Sequence, residues 1–314
     1  MSLIAGVDVG GTNISAALVD ERHRVTARVR VPTPSGGPAA VVEAIAETVS
    51  KLGQDVAAVG AGVPGPVVDG VVTTAPNLAG FGEPVPVAAL LRERLGRPVA
   101  VGNDANLGTL GEWVAGAAKG ARFVLGVWLG TGVGGGLILD GMPYLGASGG
   151  AGEFGHMCVR QGGALCGCGR RGCIEAYAGR ACMEHTVQVA AAAGHETVLL
   201  DLARRREAAR LTSGVWARAL AQGDPLATRV FGEAVEALGA GVGAAVNLLD
   251  LDLVVLGGGL TEKLGQPLAD QVATAAHPYL LVPKAERFVV AARLGDDSGV
   301  IGAAAFARSC IQIQ

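Results

Sequence analysis

Aromatic side chains and charges are both scarce in this chain. Only 4% of its 314 residues are aromatic and 17% are charged, whereas half are hydrophobic. The formal net charge is −3 without a long basic run, so we expect no nucleic-acid partner. The longest uncharged apolar stretch, Phe123–Leu139, is crowded with glycine and too short for a bilayer span. We therefore expect no membrane partner either.

The amino terminus and the cysteines indicate a reducing compartment. The chain lacks the basic stretch that opens a signal peptide, and its first residues run directly into an apolar strand. Four of the six cysteines fall within sixteen residues, from Cys158 to Cys173. In a reducing compartment such a cluster is typical of metal ligands rather than of disulfides. We expect a cytoplasmic protein, and its many apolar helical segments favour a homodimer or homotetramer.

Apolar segments of strand length alternate with segments of helical periodicity. The predicted strands are Leu3–Val9, Ile14–Val19, Val56–Val63, Val99–Gly102, Phe123–Leu129, Gly136–Leu139 and Leu253–Leu256. The predicted helices are Ala39–Leu52, Val87–Leu95 and Ala105–Ala118, with mostly helical sequence from Cys173 to Gly243. This alternation indicates an α/β fold. Fifty glycines add tight turns and allow close backbone packing.

Two hairpins about 120 residues apart share one pattern. In each, a strand, a glycine turn and a second strand are closed by an aspartate, which is Asp20 in the first hairpin and Asp140 in the second. The repeat indicates two lobes built on a duplicated plan, although hairpins also favour glycine for purely structural reasons.

The glycine turns of these hairpins are suited to phosphate binding. Glycine has no Cβ, so its backbone N–H group can approach a phosphate oxygen closely. The candidate phosphate-binding residues are Gly10, Gly11, Thr12 and Asn13 in the first turn, Gly130, Thr131 and Gly132 in the second, and Gly257, Gly258 and Gly259 after a later strand. Asp8 precedes the first turn and can hold a hydrated Mg²⁺ ion. Neither turn continues as a Walker motif, and no helical pattern follows Gly11 as a dinucleotide fold requires.

Asn103 and Asp104 lie where a predicted strand ends and a predicted helix begins. Both residue types are favoured at helix N-termini, so helix capping alone explains them. Alternatively, the Asp104 carboxylate is a base for a substrate hydroxyl that the Asn103 amide orients. Phosphoryl transfer asks little more of protein side chains than positioning, charge stabilisation and such a base. The pair by itself leaves both interpretations open.

One histidine and three cysteines form the most specific group in the chain. His156, Cys166, Cys168 and Cys173 match a tetrahedral zinc site with Cys₃His ligands. Cys158 is a further thiol that can substitute for one of them.

Glu153 and Glu175 flank this group, so a folded metal loop would hold two carboxylates in place. Paired acids are typical of glycoside hydrolases. They can equally accept hydrogen bonds from sugar hydroxyls, and the residues leave that choice open.

Taken in order, these segments resemble the ROK family of sugar kinases, and most closely the bacterial glucokinases within it. The resemblance covers nearly the whole chain, and the cysteine-rich segment is its most specific part. Its motifs are Asp8-Val9-Gly10-Gly11-Thr12, Gly62-Val63-Pro64-Gly65-Pro66, Pro76-Asn77-Leu78, Asn103-Asp104-Ala105-Asn106, Gly130-Thr131-Gly132-Val133-Gly134, Gly152-Glu153-Phe154-Gly155-His156, the cysteine segment from Cys166 to Glu175, and Gly257-Gly258-Gly259.

The resemblance implies a two-lobed actin-like ATPase fold of the ribonuclease H-like type, with a central cleft. Residues 1–107 would form the small α/β lobe, to which a C-terminal helix at about 297–314 returns. Residues 108–296 would form the large α/β lobe that carries the zinc loop. Repressors of this family have a helix-turn-helix domain before the first glycine turn, whereas seven residues precede Asp8 here, which favours the enzyme.

The resemblance also implies roles for single residues. ATP with Mg²⁺ would be the phosphate donor, and a hexose the acceptor, with glucose expected ahead of N-acetylmannosamine, N-acetylglucosamine, fructose and mannose. Asp104 would be the catalytic base. The sugar would be bound by Asn77, Asn103, Asp104, Glu153, His156 and Glu175. The phosphates would be surrounded by Asp8, Gly10, Gly11, Thr12, Gly130, Thr131 and Gly132, and structural Zn²⁺ by His156, Cys166, Cys168 and Cys173.

Two other classes of function compete with the kinase. A sugar-sensing protein without catalysis would not need Asp104 and both glycine turns, which are intact here. A glycosidase that uses Glu153 and Glu175 would leave the glycine turns unexplained. The sequence also leaves open whether polyphosphate can replace ATP.

Overall fold

The computed structural model of the chain describes residues 3–53, 56–205 and 210–312. The strands are β1 Leu3–Val9, β2 Asn13–Val19, β3 Val25–Pro32, β4 Val56–Val63, β5 Val67–Val68, β6 Val71–Val72, β7 Val99–Asn103, β8 Val124–Leu129, β9 Val133–Leu139, β10 Met142–Pro143, β11 Leu253–Gly257 and β12 Val289–Ala291. The α-helices are α1 Pro38–Ser50, α2 Val87–Leu95, α3 Asp104–Ala115, α4 Glu175–Ala178, α5 Arg180–Ala192, α6 Val198–Arg204, α7 Ser213–Ala221, α8 Pro225–Leu249, α9 Gly259–Leu264, α10 Gln266–Ala276 and α11 Asp297–Gln312. Short 3₁₀-helices occupy Phe154–His156 and His277–Tyr279.

The chain divides into two compact units. The first contains Met1–Arg122, Gly136–Gly152 and Arg293–Gln314, and the second contains Phe123–Gly135 and Glu153–Ala292. Helix α11 lies in the first unit at the position of the predicted C-terminal helix, and residues 313–314 of that prediction lie outside the described residues. The lobe limits of 1–107 and 108–296 stay a prediction.

The first unit is built on a five-stranded sheet with the strand order β3–β2–β1–β4–β7. Strands β1, β2 and β3 are antiparallel neighbours, whereas β4 pairs in parallel with both β1 and β7. Successive residues of β1 point to opposite faces of the sheet. Val7 and Val9 pack into the core with α1 and α2, whereas Ile4 packs with residues of α11. Asp8 has the same parity as Ile4, so it lies on the face that carries α11.

Helix α11 packs so closely on this sheet and on α3 that backbone meets backbone. A Cβ added to Gly6 or Gly60 would lie closer than 3.0 Å to a carbonyl oxygen of α11. A Cβ added to Gly302 would overlap the carbonyl oxygen of Leu107 in α3, and one added to Gly111 would overlap a carbonyl oxygen of α11. Side chains larger than hydrogen therefore do not fit at these four glycines.

The buried carboxylate of Glu112 on α3 holds the segment that leads into α11. Its Oε1 accepts hydrogen bonds from the N–H of Leu294 and the hydroxyl of Ser298, both at 2.8 Å. Both carboxylate oxygens accept from the N–H of Arg293 at 3.1 Å, and Oε2 accepts from the N–H of Ala117 at 2.7 Å. Because Glu112 is 0% exposed, these donors replace the hydration that its carboxylate loses on folding.

The strands of the second unit belong to a sheet with the order β10–β9–β8–β11–β12. Strand β11 pairs in parallel with both β8 and β12. Strand for strand, this order repeats that of the first sheet, so the two hairpins that the sequence indicates open two sheets of one plan. Helix α8, with 25 residues, packs against α4, α5 and α10. Within the described part of the chain, no helix is both long enough and apolar enough to cross a membrane.

The predicted elements agree with the structure best where their sequences are strongly apolar. The strand Val56–Val63 and the helix Val87–Leu95 are confirmed at both ends. The helix predicted over Ala105–Ala118 is wrong at its C-terminal end, because α3 stops at Ala115 and Gly116 leaves the helical region with φ −113° and ψ −138°. Strands β3 and β12 have no counterpart among the predicted strands.

We expect Gly302→Ala to lower the free energy of unfolding by about 2 kcal/mol or more, because overpacking a tight contact typically costs about 1–3 kcal/mol. The matched control is Gly232→Ala in the interior of α8, where an added Cβ would have no atom within 4 Å. That variant should be neutral, or stabilised by up to about 1 kcal/mol, since alanine is the better helix former. Denaturant unfolding of both variants measures the difference. Equal free energies of unfolding would mean that α11 does not pack on α3 at this distance.

Candidate active site

The first glycine turn, Gly10–Asn13, is hydrogen-bonded at two points to Thr33, the residue that follows β3. The N–H of Thr33 donates to the carbonyl of Thr12 at 3.0 Å, and the Thr33 hydroxyl donates to the carbonyl of the first glycine at 2.6 Å. Gly11 lies against Asn77, because an added Cβ would lie 3.2 Å from the Asn77 carbonyl oxygen. A predicted phosphate-binding turn and a predicted sugar-binding residue are therefore neighbours within the first unit.

Asp8 is pressed against the start of α11. A Cβ added to Gly299 would lie 2.8 Å from the carboxyl carbon of Asp8. Burial raises the pKa of Asp8 to about 7, and the charges of Asp104 and Asp296 contribute in the same direction. The Arg30 cation opposes this shift without cancelling it. An ionised Asp8 is therefore costly unless a further cation lies nearby.

The predicted junction of strand and helix is present between β7 and α3. The side-chain oxygen of Asn103 accepts the N–H of Asn106 at 3.0 Å, which makes Asn103 the N-cap of α3. Its amide group donates to the carbonyl of Gly65 and to Oδ1 of Asp104, both at 3.1 Å. The same Asp104 oxygen accepts the N–H of Ala105 at 2.8 Å. Capping accounts for Asn103, whereas the Asp104 carboxylate is oriented by two donors at the start of the helix.

The second glycine turn, Gly130–Gly132, is held by the start of α5. The N–H groups of Arg180 and Ala181 donate to two carbonyl groups of the turn, at 3.3 and 3.0 Å. The run Gly257–Gly259 lies beside it, because a Cβ added to its middle glycine would lie 2.5 Å from the carbonyl oxygen of Leu129. The second unit therefore holds two of the predicted phosphate-binding segments side by side.

His156, Cys166, Cys168 and Cys173 converge at one point in the second unit. Their ligand atoms all lie within 4.8 Å of one another. The Cys166 sulfur lies 3.8 Å from Nδ1 of His156, and the sulfurs of Cys168 and Cys173 are 3.7 Å apart. Tetrahedral zinc with Zn–S bonds near 2.3 Å places its sulfur ligands about 3.8 Å apart, so the donor set fits this metal. Cys158 stays outside the cluster and does not substitute for any of the four.

The three thiols of the cluster differ in their readiness to ionise. Burial raises the pKa of Cys166 to about 12 and also raises the pKa of Cys173. Hydrogen bonds from the backbone and then the side chain of Arg170 lower the pKa of Cys168 to about 6. Because metals bind thiolates, a divalent cation among the sulfurs would favour the charged form of the two buried cysteines.

Two of the predicted sugar ligands adjoin this cluster. Nε2 of His156 lies 4.0 Å from Oε2 of Glu153, while Nδ1 faces the cysteines. Glu175 begins α4, and its Oε2 accepts the N–H of Val133 at 2.9 Å. The Cys166 sulfur lies 3.6 Å from Oε1 of Glu175. The Glu175 carboxylate therefore connects the cysteine cluster to the second glycine turn.

The predicted site residues form one set in each unit. The first unit holds Asp8, Gly10, Gly11, Thr12, Asn13, Asn77, Asn103 and Asp104. The second unit holds Gly130, Thr131, Gly132, Glu153, His156, Cys166, Cys168, Cys173, Glu175, Gly257, Gly258 and Gly259. Two further residues were not predicted from the sequence: Asp296, whose charge acts on Asp8, and Arg180, which adjoins the second turn. Adjacent acids after a glycine, in a chain with few charges, were the available signal for Asp296.

Two sheets of one strand order, each opened by a glycine-turned hairpin, define the class of actin-like ATPases. Within that class the chain belongs to the ROK family, whose family model matches residues 4–310. It is 37% identical to a glucokinase of Streptomyces coelicolor, over 98% of each chain. It is 35% identical to an N-acetyl-D-glucosamine kinase of Citrobacter koseri, over 95% of this chain and 97% of that protein.

A solved structure gives the same result for the fold. The ROK family glucokinase of Streptomyces griseus, in complex with glucose and AMPPNP, matches 98% of this chain and 100% of its own. The TM-score is 0.85 and the identity is 35%. The predicted family and the predicted α/β fold class are both confirmed.

Proposed function

We propose that this protein is an ATP-dependent hexokinase that converts glucose to glucose 6-phosphate. The observation that carries the proposal is the Asp104 carboxylate, which two donors orient at the start of α3 in a chain of the ROK family. Relatives named glucokinase support glucose as the acceptor. The structural neighbour in complex with glucose and AMPPNP supports ATP as the donor.

Asp104 is the general base in this proposal. A sugar hydroxyl that donates a hydrogen bond to the Asp104 carboxylate transfers its proton there as its oxygen bonds to the γ-phosphorus of ATP. The bond from that phosphorus to the bridging oxygen breaks, and ADP leaves with the electron pair. The Asn103 amide and the N–H of Ala105 hold the carboxylate in one orientation, so no reorganisation accompanies the proton transfer.

We assign the phosphates of ATP to the glycine segments Gly10–Asn13, Gly130–Gly132 and Gly257–Gly259. The N–H groups of Gly10 and Gly130 already donate to carbonyls of their own turns, so the other N–H groups of these segments would contact the phosphates. Asp8 would hold Mg²⁺ through water, and the ion would supply positive charge to the phosphate oxygens. The raised pKa of Asp8 supports this assignment, because burial and the neighbouring carboxylates make a nearby cation favourable.

The remaining polar residues suit a neutral sugar and a structural metal. We assign hydroxyl binding to Asn77 and Asn103 in the first unit, and to Glu153, His156 and Glu175 in the second. None of these residues is a lysine or arginine, so a sugar that already carries a phosphate would bind poorly. His156, Cys166, Cys168 and Cys173 would hold structural zinc, which orients His156 through one ring nitrogen and leaves the other for a hydrogen bond.

The same residues would also bind an amino sugar, and the relative named N-acetyl-D-glucosamine kinase supports that alternative. We expect glucose to give the highest kcat/KM in a coupled assay that also includes N-acetylglucosamine, N-acetylmannosamine, fructose and mannose. A higher kcat/KM for an N-acetylated sugar would assign the protein as an amino-sugar kinase with the same mechanism. Absence of transfer to every sugar in the panel would refute the kinase proposal.

We also infer that the enzyme acts in the cytoplasm, in glycolysis. Its cysteine cluster needs a reducing compartment to stay available for metal. A homodimer or homotetramer stays our prediction for its assembly.

We expect Asp104→Asn to lower kcat by about two to four orders of magnitude, the usual scale for loss of a general base. The affinity for glucose should change much less, because an amide still hydrogen-bonds to a hydroxyl. The melting temperature should stay near that of the wild type, since Asn103 rather than Asp104 caps α3. Coupled kinetics, calorimetry with glucose and thermal melting of one preparation measure all three. The control is Asp201→Asn, which removes an exposed carboxylate on α6.

A kcat of Asp104→Asn within a few-fold of the wild type would remove Asp104 from the mechanism. If kcat falls equally in Asp104→Asn and in the control Asp201→Asn, the loss would come from the protein preparation and not from removal of the base.

Purified protein should contain about one zinc ion per chain, because four ligand atoms converge as a tetrahedral site requires. Cys166→Ser should lose this zinc, melt at a lower temperature and bind glucose less tightly, since Glu175 and His156 lose their common support. Cys158→Ser is the matched control and should keep its zinc, because Cys158 lies outside the cluster. Elemental analysis and thermal melting decide between these results. Freshly prepared, active protein without zinc would contradict the assignment.

A further inference from the structure

Arg180, the first residue of α5, places its guanidinium group between two hydroxyls. Nη1 donates to the hydroxyl of Ser213 at 3.2 Å, and Nη2 donates to the hydroxyl of Thr131 at 3.4 Å. Arg180 is half-buried and Ser213 is buried, whereas Thr131 is exposed on the second glycine turn. The cation therefore lies beside the second glycine turn, to which we assign phosphates of ATP.

No residue that the structure describes forms an ion pair with the Arg180 cation. Among the described residues, no carboxylate oxygen lies within the 4.0 Å of an ion pair from the Arg180 guanidinium. Glu184, one turn further along α5, pairs instead with Arg210 at 3.3 Å. Burial, and then the Arg210 cation, lower the pKa of Arg180 against the opposing charge of Glu184. Among the described residues, the two cations Arg180 and Arg210 therefore have one carboxylate near them, that of Glu184.

The position of Arg180 in its helix does not explain the residue either. The N-terminus of a helix carries partial positive charge, so a cation there is unfavourable unless an anion is present. Two hydroxyl partners satisfy hydrogen-bond donors but do not neutralise charge. Because a guanidinium is well suited to bind phosphate, Arg180 is a candidate for binding an anionic ligand.

Two glycine segments of the second unit adjoin the Arg180 guanidinium. Gly259 lies against this group, because an added Cβ would be 2.8 Å from the Ser213 hydroxyl and 3.9 Å from Nη1 of Arg180. On the other side lies the second turn, Gly130–Gly132, whose carbonyls accept the N–H groups at the start of α5. The guanidinium thus lies between two glycine segments of the second unit, and both lack Cβ atoms where a phosphate would approach.

We propose that Arg180 is a nucleotide-binding residue, whose guanidinium binds phosphate oxygens of the nucleotide between the second glycine turn and Gly259. The identity of that nucleotide as ATP rests on the proposed function. A guanidinium presents several N–H donors in one plane and can bind two phosphate oxygens together. Thr131 and Ser213 hold that plane in place before the nucleotide arrives.

The decisive variant is Arg180→Gln. Glutamine keeps a planar group that can hydrogen-bond to a hydroxyl, whereas the positive charge is lost. Arg180→Lys keeps the charge and loses the planar pair of donors. Arg229→Gln is the matched control, because Arg229 is exposed on α8 and pairs only with Glu233 among the described residues.

Two sets of measurements apply to these variants. Calorimetry without sugar measures the affinities for ADP and for inorganic tripolyphosphate. Coupled kinetics measures KM for ATP and KM for glucose. We expect Arg180→Gln to weaken binding of ADP and tripolyphosphate about tenfold to a hundredfold, the usual scale for a hydrogen bond to a charged group. The KM for ATP should rise in proportion, the KM for glucose should stay within about twofold, and Arg180→Lys should fall between the wild type and Arg180→Gln.

Equal affinity for tripolyphosphate in the wild type, the Lys variant and the Gln variant would overturn the proposal. Equal increases of both KM values would also overturn it, since they would indicate a structural role. If Arg180→Gln does not fold, Arg180→Lys decides. A higher ratio of KM for ATP to KM for glucose than in the wild type supports the proposal, and an unchanged ratio overturns it. The two proposals can fail separately. If the wild type transfers no phosphate to any hexose, the proposed function fails. If Arg180→Gln nevertheless binds ADP more weakly than the wild type does, the role of Arg180 stands.

Discussion

The close backbone packing of α11 is the constraint on which the first unit's candidate site depends. Strand β1 carries Asp8 on the face toward α11, and α3 carries Asp104 at its first turn. Glycines bring both elements against α11, at Gly6 on β1 and Gly302 opposite α3. The buried Glu112 fixes the segment that enters α11 through three hydrogen-bonding groups, those of Arg293, Leu294 and Ser298. The positions of the two aspartates are therefore set by the backbone, which is the kind of support that a precise site needs.

A comparable constraint in the second unit passes through Glu175. One of its carboxylate oxygens accepts the N–H of Val133 in the strand that leaves the second glycine turn, and the other faces the sulfur of Cys166. A metal in the cysteine cluster would therefore steady the glycine turn as well as the sugar ligands. The same contacts argue against a glycosidase, because a nucleophile or a general acid needs a carboxylate oxygen directed at the substrate.

The fold and most of the candidate site were predictable because their signals are local. Apolar strands, glycine turns and closely spaced cysteines can be recognised within a few residues of sequence. Strand β3 was missed although its residues alternate, because Arg28 and Arg30 face outward and its few apolar residues are only half-buried. The adjacent acids at Asp296 are a local signal that does not indicate a role, and Arg180 has no local signal. Their significance depends on tertiary neighbours. Asp296 acts on Asp8, nearly the whole chain away, and Arg180 forms no ion pair with a carboxylate in the part of the chain that the structure describes.

The carboxylates of the first unit give a physical reason to prefer an enzyme over a passive sugar-binding protein. The folded-state pKa of Asp8, about 7, lies above its unfolded value, so ionisation of Asp8 costs stability as the pH rises from about 4 through 7. A protein that only bound neutral sugar would gain nothing from placing Asp8 among the charges of Asp104 and Asp296. A base for a hydroxyl must be ionised at neutral pH, and a magnesium ion beside Asp8 would remove the repulsion that opposes ionisation. One cation beside Asp8 would therefore both reduce the repulsion among the carboxylates of the first unit and keep the base ionised at neutral pH.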